Sequence, residues 1–206
     1  MAGVLLGAAL GHLQSDDPVV LALPRGGVPV GFEVARALAA PLDVVVVRKL
    51  GVPFQRELGM GAIGEGGVRV LDPSIVRAAR VTPADLERIE VRERAELERR
   101  VNLYRGARPM VAIEGRTAIV VDDGIATGGT ARAALQVVRA SGAGSVVLAV
   151  PVAAPESVRE LGEFADEVVA LATPSPMVAI GPWYRHFDQT TDDEVRTLLA
   201  AANRPD

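Results

Sequence analysis

Apolar positions along the chain fall into two kinds of run that alternate. Short, continuous, β-branched runs occupy residues 18–22, 42–47, 117–121, 145–150 and 167–171. Runs of this length with no polar alternate read as strands buried on both faces. Stretches with three-to-four-residue spacing lie at 28–38, 130–140 and 155–161. In the second of these Ala131, Ala134, Leu135 and Val138 share one helical face, and Arg132, Gln136 and Arg139 take the opposite side. Gly142 and Gly144 follow where a left-handed cap is expected. Strand, crossover helix and strand in repeated order predict an α/β fold, a parallel twisted sheet flanked by helices.

Residues 72–108 break the pattern. Thr82 and Pro83 suit a cap and first helical position before a charged stretch that ends near Tyr104. A long, mostly exposed helix is expected, with its glutamates and arginines as a solvated face laced with i,i+4 pairs. Gly64-Glu65-Gly66-Gly67 reads as a turn between short strands. Residues 1–10 are apolar without a basic flank and read as a short helix on the core, not a leader. One domain over 1–206 is expected, with its core at about 15–172, a helical insertion at about 72–108 and a C-terminal hood or tail at about 174–206.

Composition narrows the chemistry. A hydrophobic fraction of 49% over 206 residues supports a buried core. A net charge of −4 gives no basic field, so nucleic acid is not an expected partner. No apolar run reaches the roughly 20 residues of a membrane span. The chain has no cysteine, which removes disulfides and thiolate chemistry and fits a cytoplasmic location. His12 and His186 are the only histidines, so a zinc site is not expected.

Candidate chemistry concentrates in Ile119-Val120-Val121-Asp122-Asp123-Gly124-Ile125-Ala126-Thr127-Gly128-Gly129-Thr130. Two acids stand where a buried strand ends and small residues stand where a helix begins, the place where open α/β sheets bind ligands. Free backbone N–H groups at 126–130 and the helix dipole favour a phosphate. Gly128 and Gly129 permit close approach of its oxygens, and Thr127 and Thr130 add hydroxyls. The acids would repel that phosphate unless they hold hydroxyls or a cation, and a ribose 5-phosphate meets both demands. The bland alternative is a turn whose acids cap the helix. A second glycine loop, Pro24-Arg25-Gly26-Gly27-Val28-Pro29, follows the first strand, with Arg25 suited to bidentate anion contact. Arg48 and Lys49, the chain's only lysine, are expected to end the second strand at the same sheet edge, either facing that pocket or simply solvated.

The segment at 119–130, with Ala118 before it, resembles the phosphoribosyl-pyrophosphate motif of the type I phosphoribosyltransferases: four apolar residues, two acids and a Thr-Gly-x-Thr turn. The resemblance implies a Rossmann-like core with a small hood, 5-phosphoribosyl-1-pyrophosphate as donor, Mg²⁺ as cofactor and a small-molecule base as acceptor. It assigns Asp122 and Asp123 to the ribose and Ile125, Ala126, Thr127, Gly128, Gly129 and Thr130 to the 5-phosphate. Arg25, Gly26 and Gly27 resemble the family's pyrophosphate loop, and Lys49, in preference to Arg48, takes the place of a basic residue that contacts pyrophosphate. Catalytic roles are thereby expected of Asp122, Asp123, Lys49 and Arg25, with Mg²⁺ held through pyrophosphate and ribose oxygens. The resemblance also implies a closing loop, for which 52–59 with Arg56 and Glu57 is the candidate, and a homodimer. Trp183, Tyr184 and Phe187 cluster beside His186 in a chain with one Trp, two Tyr and four Phe, and form either a stacking platform for a flat base or a satellite core anchoring the tail.

Two other readings compete. A regulator that keeps the donor site as a sensor would be expected to carry a basic surface or a recognition helix, and none is evident. A phosphate-binding NTPase or a hydrolase would carry G-x-x-x-x-G-K-[ST] or G-x-S-x-G, neither of which occurs, and the G-x-G-x-x-G of a dinucleotide-binding oxidoreductase is matched only at residues 59–64, where no helical pattern follows.

Overall fold

Two strands, β1 (Pro18–Ala22) and β6 (Thr117–Val121), are buried at every position, and β7 (Ser145–Val152) at all but its first. Burial on both faces requires covering layers, and the crossover helices supply them: α2 (Gly27–Leu38), α5 (Gly129–Ala140) and α6 (Pro155–Leu161). With β2 (Leu42–Val44) and β8 (Glu167–Ala172) they form a five-stranded parallel sheet in the order β2-β1-β6-β7-β8. The computed structural model describes residues 1–203, with Arg56 and Glu57 by backbone alone.

Strand alternation divides the core. Val20, Ala22, Ile119 and Val121 face α2, the N-terminal helix α1 (Ala2–Ala9) and the C-terminal helix α7 (Asp192–Ala202). Val19, Leu21, Val120 and Leu148 face α5 and α6. Among the described residues no helix is long and apolar enough to cross a membrane.

The second strand is shorter than the sequence pattern suggests. β2 stops at Val44 because its partner β1 ends at Ala22, its register mate, and Pro24 offers no N–H to continue the ladder. The chain then leaves the parallel sheet, and Arg48 and Lys49 open β3 (Arg48–Val52) instead of ending β2. β3 pairs antiparallel with β4 (Gln55–Ile63), which pairs with β5 (Arg69–Leu71) across the expected Gly64–Gly67 turn. This small sheet lies on α5 through Ala62, Ala133 and Val137, so the outer side of α5 is less wetted than its arginines suggest.

A short helix α3 (Pro73–Ala78), capped by Asp72, precedes α4 (Pro83–Arg105). Thr82 and Asp85 close a capping box: Asp85 N–H donates to Thr82 Oγ1 and Thr82 N–H to the Asp85 carboxylate, each at 3.2 Å. The expected surface pairs are present at Glu96 with Arg99 and Arg100. One stripe of α4 is nonetheless buried, at Ile89, Glu93, Leu97, Tyr104 and Arg105, which corrects the expectation of a mostly solvated helix. Arg105 explains how a charge can sit there. Its Nε donates to Asp43 Oδ1 at 3.0 Å and its Nη2 to the Val44 carbonyl at 2.8 Å, and Glu65 shares the guanidinium. Asp43 also accepts from Val44 N–H and Val111 N–H, so the buried polar groups of this latch are satisfied.

Candidate functional site

The register between the central strands aligns Ala22 with Val121, so the loops that leave β1 and β6 emerge side by side. Leu23 N–H donates to the Val121 carbonyl at 2.8 Å. The first loop then passes through a cis Pro24–Arg25 peptide into Gly26 and Gly27. Both glycines are required by proximity, not by backbone angle, since Gly26 has an ordinary helical φ of −59°. A Cβ at Gly26 would overlap Asp123 Oδ2 and stand 2.5 Å from Asp123 Cγ. A Cβ at Gly27 would lie 2.5 Å from the Val121 carbonyl oxygen and 3.0 Å from Asp122 Cα. The two loops expected to face one ligand are therefore packed directly against each other.

Asp122 and Asp123 are half-buried. Asp123 N–H donates to Asp122 Oδ1 at 2.9 Å, and neither carboxylate has a cation partner among the described residues. Burial, reinforced by the neighbouring Asp123 charge, pushes Asp122 well above the ordinary carboxylate range, and burial also raises Asp123. Two desolvated acids side by side favour a site completed by hydroxyls or a cation.

Beyond them Gly128 takes φ 72° as the residue that opens α5, and no side chain caps the helix. The backbone N–H groups of residues 126–131 donate to no protein acceptor among the described residues, while Arg132 N–H closes the first bond onto the Gly128 carbonyl at 2.8 Å. Thr127, Gly129 and Thr130 are exposed. This is a helix N-terminus with its donors and dipole available to an anion. The turn is held from behind: Ser157 Oγ donates to the Ala126 carbonyl at 2.7 Å, and Ala154 N–H to the Ile125 carbonyl at 2.9 Å. Lys49, Thr127, Gly128 and Gly129 share a cavity of about 420 Å³.

The basic candidates diverge. Lys49 is exposed, its stem lying over Gly59, where an added Cβ would be 3.2 Å from Lys49 Cδ. Arg48 instead donates from Nε and Nη2 to Glu93 Oε2 of α4, at 2.9 and 2.7 Å. Arg25 lies 3.9 Å from Asp192 Oδ1 at the start of α7, and that carboxylate also accepts from the Tyr104 hydroxyl at 2.9 Å. The tail returns to the same place. The Tyr184 hydroxyl donates to the Asp123 carbonyl at 2.5 Å, and Ile180 packs so close to Gly124 that a Cβ there would be 2.8 Å from its Cγ2. Tyr184 and Phe187 stack at 5.1 Å with a 44° tilt, and Trp183 is 51% exposed. The 52–59 segment is the β3–β4 hairpin, with Phe54 exposed near its tip; the side chains of Arg56 and Glu57 lie outside the described residues.

Sequence reasoning missed Glu93, Ser157 and Asp192, each of which holds a candidate residue or its loop. Asp192 carried a usable signal, since Thr191 and Glu194 form a capping box that marks a helix start there. Ser157 carried none.

Comparison with known proteins identifies the family. A family model described as phosphoribosyl transferase domain matches residues 63–173. The crystal structure of TT1426 from Thermus thermophilus is similar over 97% of this chain and 95% of its own, at 48% identity and a TM-score of 0.91. A Mycobacterium tuberculosis protein (strain H37Rv), whose name assigns it provisionally as a phosphoribosyl transferase, is 54% identical over 203 residues. That alignment covers 98% of this chain but 46% of the relative, so the chain spans about half the length of the curated relatives it matches. On the family match and the likeness to TT1426, the chain belongs to the type I phosphoribosyltransferase family.

Proposed function

We propose that the chain binds 5-phosphoribosyl-1-pyrophosphate and, with Mg²⁺, transfers its phosphoribosyl group to a nucleobase-like acceptor, releasing pyrophosphate. The observation that carries this reading is the packing of Gly26 and Gly27 against Asp123 and Asp122, beside a turn whose N–H groups are unengaged. One small ligand with a diol between two phosphate groups fits that arrangement. Asp122 and Asp123 take the ribose hydroxyls, residues 125–130 the 5-phosphate, and Arg25, Gly26, Gly27 and Lys49 the pyrophosphate. Arg48, tied to Glu93, contributes charge and not a direct bond to the ribose end.

Breaking the bond from the anomeric carbon to pyrophosphate leaves positive charge on the sugar and negative charge on the departing group, so no enzyme nucleophile is needed. Arg25, Lys49 and the Gly26 amide stabilise the leaving charge, and the two acids orient the sugar opposite. The desolvated acid pair fits a divalent cation, while the described residues contain no cluster of three or more His, Asp or Glu able to cage one. Mg²⁺ would therefore be held through ligand oxygens near Asp122 and Asp123, and when bound it neutralises charge on the pyrophosphate. The exposed faces of Trp183 and Phe187 suit a flat acceptor. A homodimer belongs to the same reading and is checked by sedimentation.

The test is pyrophosphate release from the donor with Mg²⁺ and a panel of purine and pyrimidine bases, with Asp122→Asn/Asp123→Asn alongside. Release that requires one base and vanishes in the variant is expected. Tight donor binding without release for any base would turn the reading into that of a sensor, and absence of donor binding would overturn it.

A further inference from the structure

The first turn of α7 carries three acids, Asp192, Asp193 and Glu194. Two of them do local work. Glu194 closes the capping box, accepting from the Thr191 N–H at 2.7 Å and the Thr191 hydroxyl at 3.0 Å, and Asp193 pairs with Arg196 one turn on. Asp192 makes neither contact. Its Oδ1 accepts from the Tyr104 hydroxyl at 2.9 Å, 88 positions earlier in the chain, and stands 3.9 Å from Arg25 Nη1 in the first glycine loop. Its place is fixed from both sides. Val195 and Leu199 anchor α7 in the same core cluster that holds Tyr104. Burial, with the hydrogen bond to Asp192, pushes the Tyr104 hydroxyl above the ordinary tyrosine range, so it stays a donor.

Arg25 is the mobile half of the pair. The 3.9 Å approach is an ion pair without a hydrogen bond, and Arg25 donates to no protein acceptor among the described residues. Its charge is thus drawn to a fixed carboxylate while its N–H donors stay open to a ligand. A long, rotamer-rich side chain held in this way loses less freedom on binding. A carboxylate this near an anion site would by its charge alone weaken the anion, so its use must lie in what it does to Arg25. We infer that Asp192 is a positioning residue, holding the Arg25 guanidinium where it meets the anionic leaving group of the donor. The inference deepens the function proposed above and rests on it for the role of Arg25.

Calorimetry with inorganic pyrophosphate tests it on the full chain, Asp192→Asn, Asp193→Asn, Arg25→Gln and the Asp192→Asn/Arg25→Gln pair, with thermal melting to confirm folding. Loss of a negative charge should by itself tighten pyrophosphate, and positioning predicts the opposite sign. Asp192→Asn is expected to weaken binding about three- to fivefold, the scale of a part-exposed ion pair. Asp193→Asn, the same charge change one residue on, should stay within about twofold. In the Arg25→Gln background the change at Asp192 should weaken nothing further, as for a coupled pair. Affinity unchanged or raised in Asp192→Asn overturns the inference. An equal loss in Asp193→Asn, or in the Arg25→Gln background, also overturns it, because helix charge or the fold would then be the cause. The two readings fail distinguishably: an unaltered chain that binds no pyrophosphate sinks both, whereas binding that Asp192→Asn leaves intact sinks the positioning alone.

Discussion

Replacing each glycine of the first loop by alanine should separate folding from ligand binding, although the two positions are adjacent and the added group is one methyl. At Gly27 the methyl meets backbone, the Val121 carbonyl oxygen at 2.5 Å and Asp122 Cα at 3.0 Å, where ordinary contact begins near 3.4 Å. Neither atom can rotate away, because Val121 is locked between β1 and β7 in the centre of the sheet. The strand end must move by nearly an ångström, and overpacking of that kind costs about 1–3 kcal/mol. For a chain of this length about 3 kcal/mol lowers Tm by roughly 6–12 °C. At Gly26 the methyl meets the Asp123 side chain, closest at its carboxylate, which can swing about χ1, with Asp123 Cβ farther off at 3.3 Å. Stability should then fall by about 1 kcal/mol or less. Displacing that carboxylate removes a charged acceptor from the proposed ribose site, worth about 1.5–3 kcal/mol and so roughly tenfold to a hundredfold in ribose 5-phosphate affinity. Differential scanning calorimetry and ligand titration on both variants read the two quantities. Gly27→Ala melting at or above Gly26→Ala would refute the packing argument, and Gly26→Ala binding ribose 5-phosphate at full affinity would refute the role given to Asp123.

Three further outcomes follow from the same contacts. Asp122 and Asp123 have folded pKa values above the ordinary 3.8, so their stabilising effect is present at low pH and is lost as pH rises through the raised values. Burial resists their ionisation and so opposes folding as pH rises above the ordinary carboxylate range, and Asp122→Asn should raise Tm by a few degrees at neutral pH while abolishing donor turnover; a gain that does not shrink as pH is lowered toward 4 would count against burial as the cause. Arg105→Ala leaves Asp43 buried with its cation removed, and urea denaturation should show a loss of about 3–5 kcal/mol. Tyr184→Phe removes the donor to the Asp123 carbonyl and should cost about 0.5–1.5 kcal/mol in stability, with donor affinity falling severalfold; an unchanged affinity would detach the tail from the site.

The parallel sheet was legible because its strands are unbroken β-branched runs and its helices repeat at 3.6 residues, signals that depend on near neighbours alone. The acid pair and glycine turn were legible because a run of acidic, small and hydroxylated residues directly after a buried strand leaves few other uses. What escaped was the pairing of charged side chains between segments distant in sequence. Arg48 looked like a strand-end cation, yet its partner Glu93 lies 45 positions away on a helix whose charges mask its buried side. Periodicity reports burial only when the buried stripe is apolar, and the stripe of α4 includes Glu93 and Arg105, which lie inside because Arg48, Arg92, Asp43 and Glu65 compensate them. The spacing did hold a clue. Ile89, Glu93 and Leu97 stand at i, i+4 and i+8, so if the two apolar residues face the core, Glu93 must share their face, and a carboxylate there demands a cation from another element. Arg48 and Lys49, the adjacent cations opening β3, are where a chain with 22 basic residues would be searched first. The charged stretch at 83–105 is thus better understood as one half of a pairing problem whose other half lies on β3, and that pairing sets α4 across the candidate site.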